Sequence, residues 1–106
     1  MADDKVREVL SKVNRRRLRN NTQKVLFSLA KNGGWVARTA LRVPSVGSRI
    51  RDLRKEQFGG FAVECATPAA VNRSGASVLT KRQTFYRIVP RTITLSALRR
   101  VLKGVI

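Results

Sequence analysis

Apolar residues recur at helical spacing in four stretches of the chain. Positions three or four residues apart share one face of an α-helix, so each stretch predicts an amphipathic helix. The apolar positions are Val6, Val9, Leu10 and Val13; Val25, Leu26, Leu29 and Ala30; Val46, Ile50 and Leu53; and Leu95, Leu98, Leu102 and Val105. Three helices are expected from Asp3 to about Arg19, from Thr22 to Asn32 and from Ser45 to about Glu56. The fourth is expected to begin after Thr94, which can cap it.

Strand signals are shorter. Apolar and polar residues alternate from Phe61 to Cys65, and a second apolar run extends from Thr84 to Val89 before Pro90. Both predict half-buried strands, and Trp35-Val36 predicts a third, very short one. Trp35 is expected to anchor the core, in preference to stacking on a base. The segment 66–83 between the two longer strands is expected to be a long loop.

The stretch from Thr39 to Glu56 has the pattern of a helix-turn-helix. Pro44 lacks an amide donor and disfavours helical geometry at the preceding residue, so a short first helix is expected to stop near Arg42. Ser45 is expected to cap the second helix with its side chain.

The second helix of this motif has a basic outer face. At about 100° per residue, one set of side chains points away from its apolar stripe. That set is Ser48, Arg51, Asp52 and Lys55, with Ser45, Arg49 and Arg54 at the edges. Such a helix suits a DNA major groove. An ordinary solvated amphipathic helix shows the same pattern, so this stretch alone does not decide between the two.

The charge of the whole chain favours nucleic acid. Its 106 residues, enough for one small domain, carry 23 Lys and Arg against 6 Asp and Glu, a formal net charge of +17. This excess points to a polyanionic partner, and guanidinium groups bind phosphate and guanine edges in bidentate fashion. No acid follows Glu64, so the C-terminal part is expected to lie on or beside the polyanion.

Other classes of protein fit poorly. The chain has no histidine and one cysteine, Cys65, which is expected to be a small buried hydrophobe. Asp52 and Glu56 lie one helical turn apart, but Arg49 and Lys55 flank Asp52, so surface ion pairs explain the pattern better than a metal site. We expect no catalytic residue, metal, cofactor or small-molecule substrate. With no signal peptide or membrane span in the sequence, we expect a cytoplasmic protein of bacterial cytoplasm or nucleoid, or of the host cell if phage-encoded.

The terminal helices leave alternatives open. The cluster at residues 15–19 either grips phosphate or is solvated. Phe27, on the far side of its helix, is expected to meet the N-terminal helix in preference to a dimer contact. The apolar seam of the last helix, Leu95, Leu98, Leu102 and Val105, either packs within its own chain or forms a homodimer.

The central stretch resembles a winged helix-turn-helix DNA-binding family found in bacteriophages and prophages. The matching residues are TQKVLFSLAKNGGWV, the helix SRIRDLRKE followed by Phe58 and Gly59, and the closing strand FYRIV. The resemblance covers residues 20–90 and implies an α+β, mainly α fold. A basic helix at 1–20, a winged domain at 21–90 and an amphipathic helix at 91–106 are then expected.

The resemblance also implies a mode of binding. The second helix of the motif would enter the major groove of double-stranded DNA, and the hairpin wing would lie on the backbone. The implied contacts are Ser45, Ser48, Arg49, Arg51 and Lys55 on the helix and Arg73, Lys81 and Arg82 on the wing. The basic character of the chain, and not the resemblance, adds Arg54 at the edge of the helix and the N-terminal cluster Arg15, Arg16, Arg17 and Arg19 as candidate DNA contacts. The longer loop and Gly47 depart from the usual pattern.

Three functions remain open at this stage. The first is a DNA-binding regulator or accessory factor, acting as a dimer or cooperative array. The second is an RNA-binding or ribosome-associated protein, whose target has a major groove too narrow for a helix. The third is a module that binds a protein of the transcription machinery. A nucleoid-type binder without sequence preference is a variant of the first.

Overall fold

The computed structural model describes residues 4–73 and 84–105. In these ranges it has five α-helices and one three-stranded antiparallel sheet, and so forms a small compact α+β domain that is mainly helical. The helices are α1 (Asp4–Ser11), α2 (Asn21–Asn32), α3 (Val46–Arg54), α4 (Pro68–Arg73) and α5 (Leu95–Val101). The strands are β1 (Val36–Ala37), β2 (Val63–Ala66) and β3 (Phe85–Ile88), in the order β1-β3-β2. Short 3-10 turns lie at Arg15–Arg17, Arg38–Leu41, Glu56–Phe58 and Pro90–Thr92.

Helix α1 is shorter than predicted. It ends at Ser11, and the prediction that it continues to Arg19 is wrong. The side chain of Asn14 instead accepts a hydrogen bond from the amide of Arg16 at 3.0 Å and caps a separate 3-10 turn. Asn competes in this way with helical backbone bonds. The apolar half of α1 packs on its own chain, with Val6 and Leu10 buried in the core.

Helix α2 forms as predicted and lies at the centre of the core. Asn20 caps its start by accepting from the amide of Gln23 at 2.9 Å, and Gly33 ends it at φ 73°, a left-handed conformation that glycine adopts without strain. Its predicted core face is buried: Val25, Leu26, Leu29 and Ala30. Phe27 is 1% exposed in the single chain, so this ring is covered without a second subunit.

The turn before α3 differs from the prediction in two ways. The first helix of the motif is only a four-residue 3-10 turn, Arg38–Leu41, which does end before Arg42. Ser45 has φ 53° and ψ 49°, and among the described residues no amide donates to its side chain, so the predicted side-chain cap is wrong. Capping needs an extended residue, and the left-handed backbone turns the hydroxyl away from the first helical turn.

The sheet forms close to the predicted positions, but its surroundings differ. β1 begins one residue later than expected, and α4 occupies the start of the predicted loop and packs against β2. Residues 74–83 of that loop lie outside the described residues. Cys65 is exposed, so its predicted burial is wrong. It lies near the end of β2, past the part of the strand that the core covers.

Trp35 lies outside the core, contrary to the prediction. It is half-buried, and the guanidinium of Arg87 stacks over its ring, 4.5 Å from the centroid. The register explains this: Val36 pairs with Tyr86 on the core side, so Trp35 and Arg87 share the opposite face of the sheet. Glu64, opposite Arg87, binds it at 2.9 Å.

Helix α5 packs into the core of its own chain. Thr94 caps it as predicted, accepting from the amide of Ala97 at 3.1 Å. Three residues of the predicted seam, Leu98, Leu102 and Val105, are buried there, and Leu95 packs against their cluster. One hydrophobic core therefore includes residues from all three predicted segments of the chain. The segment boundaries at residues 20 and 90 remain predictions.

Candidate nucleic-acid interface

Helix α3 presents a narrow basic face. Its apolar stripe is buried as predicted: Val46, Ile50 and Leu53 are at most 2% exposed. On the opposite side, Arg51 is exposed and donates from Nη2 to the hydroxyl of Ser48 at 3.1 Å. This bond holds two polar side chains side by side on the outer face, where both still have free hydrogen-bonding capacity.

Asp52 and Arg49 lie on the α2 side of the helix, not on its outer face. Arg49 Nε is 3.2 Å from Asp52 Oδ2, a charge contact without hydrogen-bond geometry, and Lys55 Nζ is 3.6 Å from Oδ1. Thr22 of α2 donates to Asp52 at 3.5 Å. The predicted ion pairs are confirmed, but the predicted outward position of Asp52 is wrong. Since Arg49 is half-buried beside this carboxylate, the outward face is narrower than the sequence suggested.

Arg54 faces the sheet. Its Nη2 donates to the carbonyl oxygen of Val63 at 2.7 Å, which ties the end of α3 to the start of β2. One side chain predicted to contact DNA therefore serves at least partly to hold the helix on the sheet.

The arginines of the N-terminal cluster contact other parts of the chain. Arg15 lies over the ring of Phe27, 5.4 Å from its centroid, and Arg17 Nη2 donates to the carbonyl oxygen of Gly104 at 3.5 Å. Arg19 uses its amide to donate to the side chain of Gln23 at 2.6 Å. Arg16 is exposed. The cluster lies at the start of α2, the end that meets α3 through Thr22.

Two of the three predicted wing residues lie outside the described residues. Arg73 lies in the last turn of α4, and Lys81 and Arg82 fall outside the described residues.

Sequence reasoning missed two features of this surface. Arg38 and Arg42 line a shallow groove of about 290 Å³ beside Ser45, at the start of α3. The signal was present, because both arginines flank the first element of the helix-turn-helix pattern. Gln23 was also missed: it is 4% exposed and joins α2 to the chain around Arg19 and Val101. No local pattern marks such a long-range role.

Within residues 4–73 and 84–105, no three His, Cys, Asp or Glu side chains converge to hold a metal ion. No helix in the same part of the chain is long and apolar enough to cross a membrane.

Comparison with known proteins identifies no relative of this chain. No protein-family model matches the chain, and neither a curated protein nor a solved structure matches it. The resemblance of residues 20–90 to the winged family remains a prediction.

Proposed function

We propose that this protein binds double-stranded DNA through α3, as a transcriptional regulator or DNA accessory factor. The observation that carries the proposal is the outer face of α3, where Ser48 and Arg51 stand opposite a fully buried stripe and the exposed Lys55 follows the last residue of the helix. An exposed helix with a polar and basic ridge fits the width of the major groove. The net charge of +17 supplies the attraction to phosphate.

The arrangement of the elements supports a winged helix-turn-helix. The order α2, β1, 3-10 turn, α3, β2, α4, β3 places one helix before a short strand and a strand pair after α3. The sheet order β1-β3-β2 brings the strand before the helix-turn-helix beside the last strand. In such a fold, α3 is the recognition helix, and the segment between β2 and β3 is the wing.

The geometry supports one assignment of the proposed contacts. Arg51 and Ser48 read base edges, since their side chains point outward and are held together by one hydrogen bond. Lys55, Arg38 and Arg42 lie at the two ends of the helix and bind phosphates. Arg49, held beside Asp52, positions α3 on α2 and makes at most an edge contact.

The test is selection of duplex DNA from a random pool, with double-stranded RNA as competitor. The variant Ser48→Ala/Arg51→Ala removes the outer pair. Ser96→Ala/Arg99→Ala is the matched control, because it removes the same residue types at the same spacing from the exposed face of α5.

Enrichment of one DNA motif by the wild type and the control, and its loss in the first variant, is the expected result. Salt-sensitive binding without any motif, equal in all three proteins, contradicts the role of α3 and favours an architectural binder. Preferential capture by RNA overturns the proposal in favour of an RNA-binding protein, because a helix does not enter the A-form major groove.

A further inference from the structure

Three separate segments meet beside the C-terminal end of α3. Arg100 of α5 donates from Nη1 to the carbonyl oxygen of Glu56 at 2.9 Å, in the 3-10 turn that directly follows Lys55. The buried side chain of Gln23 donates to the carbonyl oxygen of Val101 at 2.9 Å. Helix α5 is thereby fixed next to both the end of α3 and the start of α2.

Arginines from the linker before α2 reach the same place. Arg17 Nη2 donates to the carbonyl oxygen of Gly104 at 3.5 Å. The guanidinium of Arg19 also lies at Gly104, where its Nη2 is 3.7 Å from the position that a Cβ atom would take. Together with Arg100 and the adjacent Lys103, these residues form what we call the C-terminal basic patch: Arg17, Arg19, Arg100 and Lys103.

The patch faces solvent. All four residues are exposed, whereas Ala97, Leu98 and Val101 on the other side of α5 are buried. An arginine has five N–H donors, and the bonds to Glu56 and Gly104 leave most of them available. The nearest acids along α3 and its turn are Asp52 and Glu56, and Asp52 is already contacted by Arg49 and Lys55. The local balance is therefore strongly positive.

The position of the C-terminal basic patch beside α3 and its positive charge together indicate an anionic ligand. Lys55 directly follows α3 and precedes Glu56, whose carbonyl oxygen Arg100 contacts, so Arg100 lies within two residues of the end of that helix. A duplex held by α3 would extend past the end of that helix, where its sugar–phosphate backbone meets the patch. Such contacts fix register and add affinity without reading sequence.

We propose that the C-terminal basic patch is a second contact surface, which binds backbone phosphates of the same DNA duplex that α3 enters. This rests on the proposed function, and it assigns the linker before α2 and the last helix a direct part in binding. Arg100 and Lys103 thus face the phosphates from the C-terminal end of α5 and the turn after it, while the apolar face of the helix is buried in the core.

The test measures the salt dependence of binding to a random-sequence duplex by fluorescence anisotropy. Each phosphate contact contributes about 0.9 to the slope of log K against log salt. Arg100→Gln/Lys103→Gln removes two such contacts and should therefore make the slope shallower by about 1.8. The matched control is Lys31→Gln/Arg91→Gln, which also removes one lysine and one arginine. Both lie at exposed positions outside the patch, Lys31 in the last turn of α2 and Arg91 after β3, so the slope should stay within about 0.5 of the wild-type value.

A charge-conserving variant separates binding from folding. Arg100→Lys/Lys103→Arg keeps both positive charges but changes the bond to Glu56, and it should retain the wild-type slope. Thermal melts by circular dichroism verify that each variant is folded at the temperature of the titration.

The outcomes are distinguishable. A wild-type protein that binds no duplex overturns both proposals. Salt-dependent binding in which the patch variant and the control have equal slopes overturns the patch and leaves the role of α3 standing. A reduced slope in the charge-conserving variant also contradicts the patch, since it shows that structure and not charge was lost.

Discussion

The side-chain amide of Gln23 joins two parts of the chain that are 78 residues apart, through a 2.9 Å hydrogen bond to the carbonyl oxygen of Val101. Its oxygen accepts from the amide of Arg19 at 2.6 Å. A buried polar group is stable in the core only when its bonds are made, and here both ends of the amide are used. Gln23 therefore fixes α5 and the preceding linker to α2.

Replacement of Gln23 by leucine should lower the free energy of unfolding by about 2–4 kcal/mol, because the carbonyl of Val101 and the amide of Arg19 lose their partners. Urea denaturation measures the change. Lys24→Ala, at the exposed neighbouring position, should change stability by less than about 0.5 kcal/mol. Equal stability of the two variants would contradict the role of Gln23.

Glycine at position 45 should stabilise the protein. Ser45 holds φ 53° without making a side-chain cap, and a left-handed conformation costs a non-glycine residue about 1–2 kcal/mol. Part of this is offset by the greater freedom of glycine in the unfolded chain, so Ser45→Gly should gain about 0.5–1 kcal/mol. Ser48→Gly, inside α3, should instead lose about 0.5 kcal/mol in the same thermal or urea melts. A loss at both positions would show that the left-handed turn is not strained.

Two arginines on α3 should have opposite phenotypes. Arg54 donates to the carbonyl of Val63, so Arg54→Ala should lower stability by about 1–2 kcal/mol. Arg51 is exposed and donates a hydrogen bond to the half-buried Ser48, so Arg51→Ala should leave stability within about 0.5 kcal/mol. In duplex binding, Arg51→Ala should be the more harmful of the two. Urea melts rank the two variants by stability, and anisotropy titrations on the same samples rank them by DNA affinity. Reversal of either ranking contradicts the roles assigned to Arg51 and Arg54.

Neutralising Asp52 should strengthen DNA binding. Its carboxylate attracts Arg49 and Lys55, and Asp52→Asn frees both cations beside the proposed groove contact. Glu64→Gln changes the net charge equally but frees Arg87 on the outer face of the sheet. We expect a steeper salt dependence and several-fold tighter binding for Asp52→Asn alone. Identical titrations for the two variants would mean that only net charge matters.

These exposed and half-exposed ion pairs contribute little to the fold. Pairs of this kind are worth about 0–1 kcal/mol, so both neutral variants should melt close to the wild type. A large loss of stability in Asp52→Asn would instead assign the carboxylate a structural role through Thr22.

Periodicity was sufficient to predict most of the secondary structure. The stripes of α2 and α3 are buried as expected because helix geometry and apolar burial act locally along the chain. The cap Thr94 also forms as predicted, since it depends on only a few neighbouring residues.

The failures arise where tertiary contacts decide. Cys65 follows the alternating pattern of β2 yet is exposed, because the core covers only the start of the strand. Asp52 accepts a hydrogen bond from Thr22, which lies 30 positions earlier in the chain. The angle of Asp52 around the axis of α3 does not predict this contact. Ser45 has the residue type of a cap, but the turn around Pro44 imposes a backbone in which its hydroxyl cannot reach the amides. The sequence therefore predicted which residues the candidate site contains, but only part of how they are arranged in space.

The stacking of Arg87 on Trp35 has a practical consequence for following this molecule in solution. Trp35 is the single tryptophan, it precedes β1, and Arg87 of β3 is in turn bound to Glu64 of β2. One indole therefore senses the association of all three strands, and its emission is a built-in optical signal for their separation. The same fluorophore can time the docking of the strands during refolding without any added label.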